Sequence, residues 1–109
     1  MIQRASKGYF EMIEEVLRKA IRGKNLVEFH YADGTKVLEP HMVAYSRTGH
    51  ILLYGWFVRG DSRYGEQGWQ EYMLAGISSL KTLPETFPKP RFGYNPNDES
   101  KFAAIHSCL

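Results

Sequence analysis

The hydrophobic period of this chain changes once, at Gly23, and that change limits what it can fold into. Before it, Phe10, Ile13, Leu17, Ala20 and Ile21 recur at helical spacing and make one apolar stripe. Ser6 is placed to cap the start. Glu11, Glu14 and Glu15 come early and Arg18, Lys19 and Arg22 late, the order that suits the helix dipole. Gly23 supplies a stop, so the spacing predicts a helix over 8–22. After Gly23 the period is two. Residues 26–32 alternate, Asp33-Gly34 follows, and 35–45 resumes as a strand. Asp-Gly between alternating runs predicts a tight hairpin, because a type I′ turn needs positive φ at both central positions. With Asp33 and Gly34 at those positions, Tyr31 faces Lys36, Phe29 faces Leu38 and Val27 faces Pro40. The opposite face carries Glu28, His30, Val37, Glu39 and His41. Pro40 has no N–H to give and needs an edge, a bend or a bulge.

Arg47-Thr48-Gly49 makes the next turn. The strand expected over 50–59 is apolar on both sides: Ile51, Leu53 and Phe57 on one, Leu52, Tyr54, Trp56 and Val58 on the other. Such a strand is covered twice, by core on one face and by the helix or a partner chain on the other. Residues 60–68 are a polar, glycine-rich loop, and strands follow over 69–74 and 77–83. From Pro84 the character changes. Four of the five prolines lie here, with Phe87, Phe92, Tyr94 and Phe102 between them. This tail is expected to wrap over the domain or over a neighbour. The expected fold is mainly β (α+β): over 1–83 a helix and a five-stranded meander that closes into a small barrel, and over 84–109 a Pro/aromatic tail.

At 109 residues there is room for one domain. A formal charge of +2 neither announces nor excludes nucleic acid. The single cysteine, Cys108, suits a reducing cytoplasm. No apolar run is long enough for a membrane span, and residues 1–8 lack the apolar core of a secretory signal. Aromatic residues, at 14%, are more than one small monomer hides easily, so a homodimer is one expectation.

Ala20-Ile21-Arg22, then Val27-Glu28-Phe29-His30-Tyr31, then Val37-Leu38-Glu39-Pro40-His41 resembles the opening of a WYL domain. Gly49-His50-Ile51-Leu52-Leu53 falls where that family carries its Trp-Tyr-Leu triplet. The stretch from Trp69 to Ile77 falls where it carries an aromatic-basic-Leu-Asp-Arg-Ile run. The similarity covers about 14–96, including part of the tail. Leu52 is kept; His50 and Ile51 replace the rings, and Ala75 and Gly76 replace the Asp-Arg pair, so a basic side chain is absent at Gly76. The resemblance implies an SH3-like or Sm-like barrel. It also implies ligand sensing in bacterial transcription regulation or phage defence, with a nucleotide or single-stranded nucleic acid as ligand. The solitary helix carries acidic residues on its first turns, which suits a DNA groove poorly, so any effect on transcription would go through a separate regulatory protein.

Tyr31, His41, Arg59, Arg63 and Tyr72 form the expected ligand group. Tyr31 and His41 lie at the family's pocket positions. Arg59 and Arg63 flank the glycine-rich loop and suit phosphate oxygens, and Tyr72 suits stacking on a base. Against this, the tyrosines are equally readable as core rings and the arginines as surface charge. Glu28, His30, Glu39 and His41, with the two glutamates opposed, offer a weaker alternative: a divalent metal and hydrolysis. A solvated sheet face explains the same alternation. The loop over 60–68 lacks the G-K-[ST] of a phosphate-binding loop. Ser62 has no evident triad, and Cys108 beside His106 sits on a chain end, so neither reads as a nucleophile. No cofactor is expected, and a binding module is favoured over an enzyme.

Overall fold

A computed structural model describes residues 5–32, 34–62, 65, 67–97 and 102–109, with side chains from Gly8 onward. Its elements are α1 (Ala5–Gly23), β1 (Asn25–Tyr31), β2 (Gly34–Ser46), β3 (Ile51–Gly60), β4 (Gly68–Met73), a 3-10 turn (Leu74–Gly76), β5 (Ser78–Thr86) and β6 (Phe102–Cys108). The helix and the expected strands are present. The helix starts at Ala5, so Ser6 lies inside it and is not its cap.

The hairpin register differs from the expected one. Tyr31 pairs with Gly34, Phe29 with Lys36 and Val27 with Leu38, so Gly34 opens β2 and does not centre the turn. Gly34 has φ +141°, and a Cβ there would meet the Asp61 carboxylate at 2.1 Å. Asp61 Oδ2 accepts the Thr35 N–H at 2.9 Å, so this glycine makes room for the carboxylate that holds the strand's start. The expectation for Asp33 lies outside the described residues. A shift of two keeps every side chain on its face. It does separate the two glutamates: Glu28 pairs with Val37, and Glu39 pairs with Trp56 of β3.

The sheet is antiparallel and open. Its order is β4-β3-β2-β1-β5, with β6 paired to β2. Six strands thus replace the expected five, and among the described residues no pairing of β4 with β5 closes a barrel. The last expected strand runs on through Pro84 to Thr86. β5 ends the sheet's path, and an end strand tolerates a residue without an N–H. The boundary expected between 83 and 84 therefore falls inside a strand. The tail beyond it supplies β6.

β2 organises the sheet. Its 13 residues pair with β3 along most of their length. On the other edge, β1 takes positions 34–38 and β6 takes 42–46. The register against β3 slips between Pro40 and Met42, which makes His41 a bulge residue. The bulge resets the alternation, so His41 and Met42 both pack on one face.

Each face has its own core. On one, Ile13, Leu17, Ala20 and Ile21 of α1 pack with Val27, Phe29, Leu38, Val43, Leu53, Tyr72, Leu74 and Ile77. This is the predicted helix stripe, and each fully buried Ile or Leu in it contributes roughly 1.5–3 kcal/mol. On the other, Met42, Ala44 and Tyr54 pack with Phe102, and Leu26 and Val37 with Phe87. The second cover of β3 is thus the chain's own tail. A loose tail would leave Phe102 idle; a docked one makes it core. Phe102→Ala should lower the unfolding free energy by about 3 kcal/mol in urea titration, and no change would show that β6 adds nothing to stability.

Candidate functional site

The residues expected to bind ligand do not converge. Tyr72 is buried in the helix-side core, with its ring 5.1 Å from Phe29 and 5.0 Å from Tyr31, both edge-on. Tyr31 is half-buried, and its hydroxyl accepts the Met73 N–H at 3.0 Å. Arg59, at the end of β3, makes a bidentate pair with Glu85 of β5 at 2.7 and 3.1 Å. That pairing holds the Glu85 carboxyl below its ordinary range. Arg63 lies outside the described residues.

His41 is on the opposite face from the tyrosines, fully buried under the tail. Its ring is stacked on Phe87 at 5.2 Å, meets Trp69 edge-on at 4.8 Å and lies 5.2 Å from Tyr94. Nε2 accepts the Arg91 backbone N–H at 3.1 Å, which places the proton on Nδ1; Nδ1 then donates to the Glu39 carbonyl at 2.9 Å. Burial holds this imidazole below its ordinary pKa. Glu39, which the alternation puts on a solvated face, is buried and accepts two hydrogen bonds from the Arg91 guanidinium, at 2.8 and 2.9 Å. That guanidinium also lies over Trp56, 4.9 Å from its ring centre.

The alternative metal set separates in the same way. Glu28 pairs with Lys81 at 3.4 Å, His30 is exposed, and Glu39 and His41 are held by the tail. Among the described residues no group of three or more His, Cys, Asp or Glu is placed to hold a metal ion. Nor is any described helix long and apolar enough to cross a membrane.

A different set does converge. Phe10 of α1, Tyr45, Gly49, His50 and Ile51 around the β2–β3 turn, and Met73 and Ala75 at the end of β4 line a hollow of about 210 Å³. Each wall has a local cause. Ser46 and His50 close the turn, with the Ser46 N–H on the His50 carbonyl at 2.8 Å and the His50 N–H on Ser46 Oγ at 3.1 Å. Tyr45 pairs with Ile51 across it. Leu74 and Ile77 are buried on either side of Ala75 and leave it at the surface. The Tyr9 hydroxyl donates to the Ile77 carbonyl, which ties this turn to the start of α1. The hollow is mostly apolar, with one imidazole at its rim, and Tyr45 and Met73 are exposed there.

His50, Ile51 and Ala75 are positions at which the sequence departs from the WYL pattern it resembles. Phe10, Tyr45 and Met73 carry no such signal: Phe10 reads as one more residue of the helix stripe, and the other two end strands without a motif. Gly76 beside them has a packing reason. A Cβ there would sit 2.7 Å from Tyr31 Cε1, in a ring already held by Phe29, Tyr72 and the Met73 N–H.

No protein-family model matches the chain, no curated protein is significantly similar to it, and no solved structure significantly matches it.

Gly76→Ala should destabilise the fold by about 1–3 kcal/mol through overpacking against Tyr31. A urea midpoint equal to that of the parent would show that the turn moves aside freely.

Proposed function

We propose that this chain is a WYL-like binding module, a bent and opened relative of the SH3-like barrel, without chemistry of its own. Its ligand is a nucleotide or single-stranded nucleic acid, held by a planar ring in the hollow between α1, the β2–β3 turn and the end of β4. It reports that ligand to a partner protein in transcription regulation or phage defence. One observation supports this above the others. His50 and Ile51, at the positions of the family triplet, and Ala75, at the position of its Asp-Arg pair, line a single hollow although more than twenty residues separate them. Tyr45, Ile51 and Met73 offer apolar walls to a ring, and His50 offers one polar contact at its edge.

Electrostatics make the ring, and not the phosphate, the main handle. Arg59 is occupied by Glu85. Binding of nucleosides, linear and cyclic mononucleotides or short single-stranded oligonucleotides should therefore change less than about threefold between 50 and 200 mM salt. Ala75→Trp, at an exposed position, should fill the hollow and weaken binding by about tenfold or more, with stability unchanged. The readout is the amide and side-chain NMR shifts of Tyr45, His50 and Met73. If millimolar ligand leaves these resonances in place, the hollow is not the site.

An interaction module without a ligand is a second reading, and Phe92 favours it. This ring is 98% exposed on a turn whose backbone is held, through the Trp69 Nε1–H to the Phe92 carbonyl at 3.0 Å. A large apolar side chain fixed in water is the kind of anchor that interfaces bury. Under this reading Phe92→Asp should convert a dimer to a monomer in light scattering. A monomer in both parent and variant removes a Phe92-centred homodimer.

A further inference from the structure

We infer that residues 87–97 form a strap across the tail-side face of the sheet that mild acid releases, with His41 taking the proton. The inference does not depend on the ligand hollow, which lies on the other face. Phe87 anchors one end of the strap on Leu26 and Val37 and Tyr94 meets Leu109 at the other, and between them the polar attachments centre on His41 and Glu39. Phe87 N–H donates to the Lys24 carbonyl at 2.9 Å, and Trp69 Nε1–H to the Phe92 carbonyl at 3.0 Å. Arg91 reaches Glu39 by its guanidinium and His41 Nε2 by its backbone N–H. The Tyr94 hydroxyl donates to the His41 carbonyl at 3.3 Å.

In the closed strap Nδ1 of His41 already carries its proton, so a second proton can go only to Nε2. That atom is the acceptor of the Arg91 N–H. Once protonated, it becomes a donor facing a donor, the strap loses a backbone hydrogen bond at its centre, and a new cation stands near the Arg91 guanidinium. Other groups also face His41. From β2 the Glu39 carboxylate favours the imidazolium, but it is already committed to Arg91. From the strap come Arg91 and the Tyr94 hydroxyl, with Cys108 of β6 behind that hydroxyl. Trp69 and Phe87 bring rings and no titrating group. Burial opposes the charge as well.

The sign of the effect follows. With the strap open, His41 meets water and binds a proton near the ordinary imidazole value of about 6.5. With it closed, the imidazole resists protonation. The open form therefore binds more protons, and closure is complete above about pH 6.5 and is lost as pH falls toward the closed-state value. The helix-side core has no residue in the strap, so release need not melt the rest of the fold. Opening would uncover His41 and one side of Trp69, a face that holds one of the residues expected from sequence to meet a ligand.

The test uses the full chain. Both tryptophans report on the strap: Trp69 lies 6.2 Å from Tyr94, and Trp56 lies under Arg91. Acidification from pH 7.5 to 5.0 should red-shift their emission while the far-ultraviolet circular dichroism is kept. His41→Gln should abolish that shift. In the parent protein, hydrogen-exchange protection of the Arg91 amide should fall about tenfold over this range, while the amides of the β1–β2 hairpin keep theirs. The exchange experiment decides even if His41→Gln fails to fold. Equal loss of protection in strap and hairpin, no loss at pH 5.0, or an unchanged transition in a folded His41→Gln variant would overturn the inference.

Discussion

The structure depends on how one edge of β2 changes partner. β1 pairs it over 34–38 and β6 over 42–46, and the residues between are Glu39, Pro40 and His41. A buried strand that runs out of partner leaves carbonyls and N–H groups that must be satisfied some other way. This sequence solves it locally. Pro40 has no N–H to leave unpaired. The Glu39 carbonyl takes the His41 Nδ1–H, and the His41 carbonyl takes the Leu109 N–H at 3.0 Å. The bulge at His41 then turns two consecutive side chains to the tail side, and the strap closes over them.

That changeover explains why the two faces are covered so differently. The helix face is filled by a continuous apolar stripe and buries its residues by hydrophobic packing. The tail face is closed around a buried carboxylate and imidazole, whose partners come from one distant turn. A buried Glu39 without Arg91 would be an unpaired charge, whose cost exceeds the modest net gain of the pair when present. The pair therefore specifies where the strap lies more than it stabilises the fold. Arg91 is about half exposed, which keeps that ionic contribution small.

Much of this was legible in the residues, and the failures share one cause. The stripe from Phe10 to Ile21 and the alternation from Leu26 onward are local signals, and they mark the helix and the first five strands. Period two identifies one face of a strand but cannot tell water from a second cover. Glu39 and His41 thus read as solvated, because their partner lies 52 residues away from Glu39. Phe102-Ala103-Ala104-Ile105-His106 lacks clean alternation, and its strand character comes from the free edge of β2. Asp33-Gly34 correctly signals a hairpin but misplaces its centre, because Gly34 is required by Asp61, far along the chain. The site divides in the same way. His50, Ile51 and Ala75, which depart from the pattern the sequence resembles, line one hollow; of the expected ligand group, Tyr31 and Tyr72 meet in the helix-side core while His41 lies under the tail.

The two faces are nonetheless joined by backbone. β2 carries His41 under the strap and Tyr45 at the hollow, and β4 carries Trp69 and Met73 in the same relation. Four residues of strand span roughly 13 Å, short enough for a shift in one strand to be felt at both ends. Tyr45 also pairs directly with Ala104 of β6. A ligand that orders Tyr45 or Met73 therefore acts on the strands that hold the strap. Linkage fixes the consequence: whatever factor such a ligand adds to strap closure, release of the strap must take from its affinity.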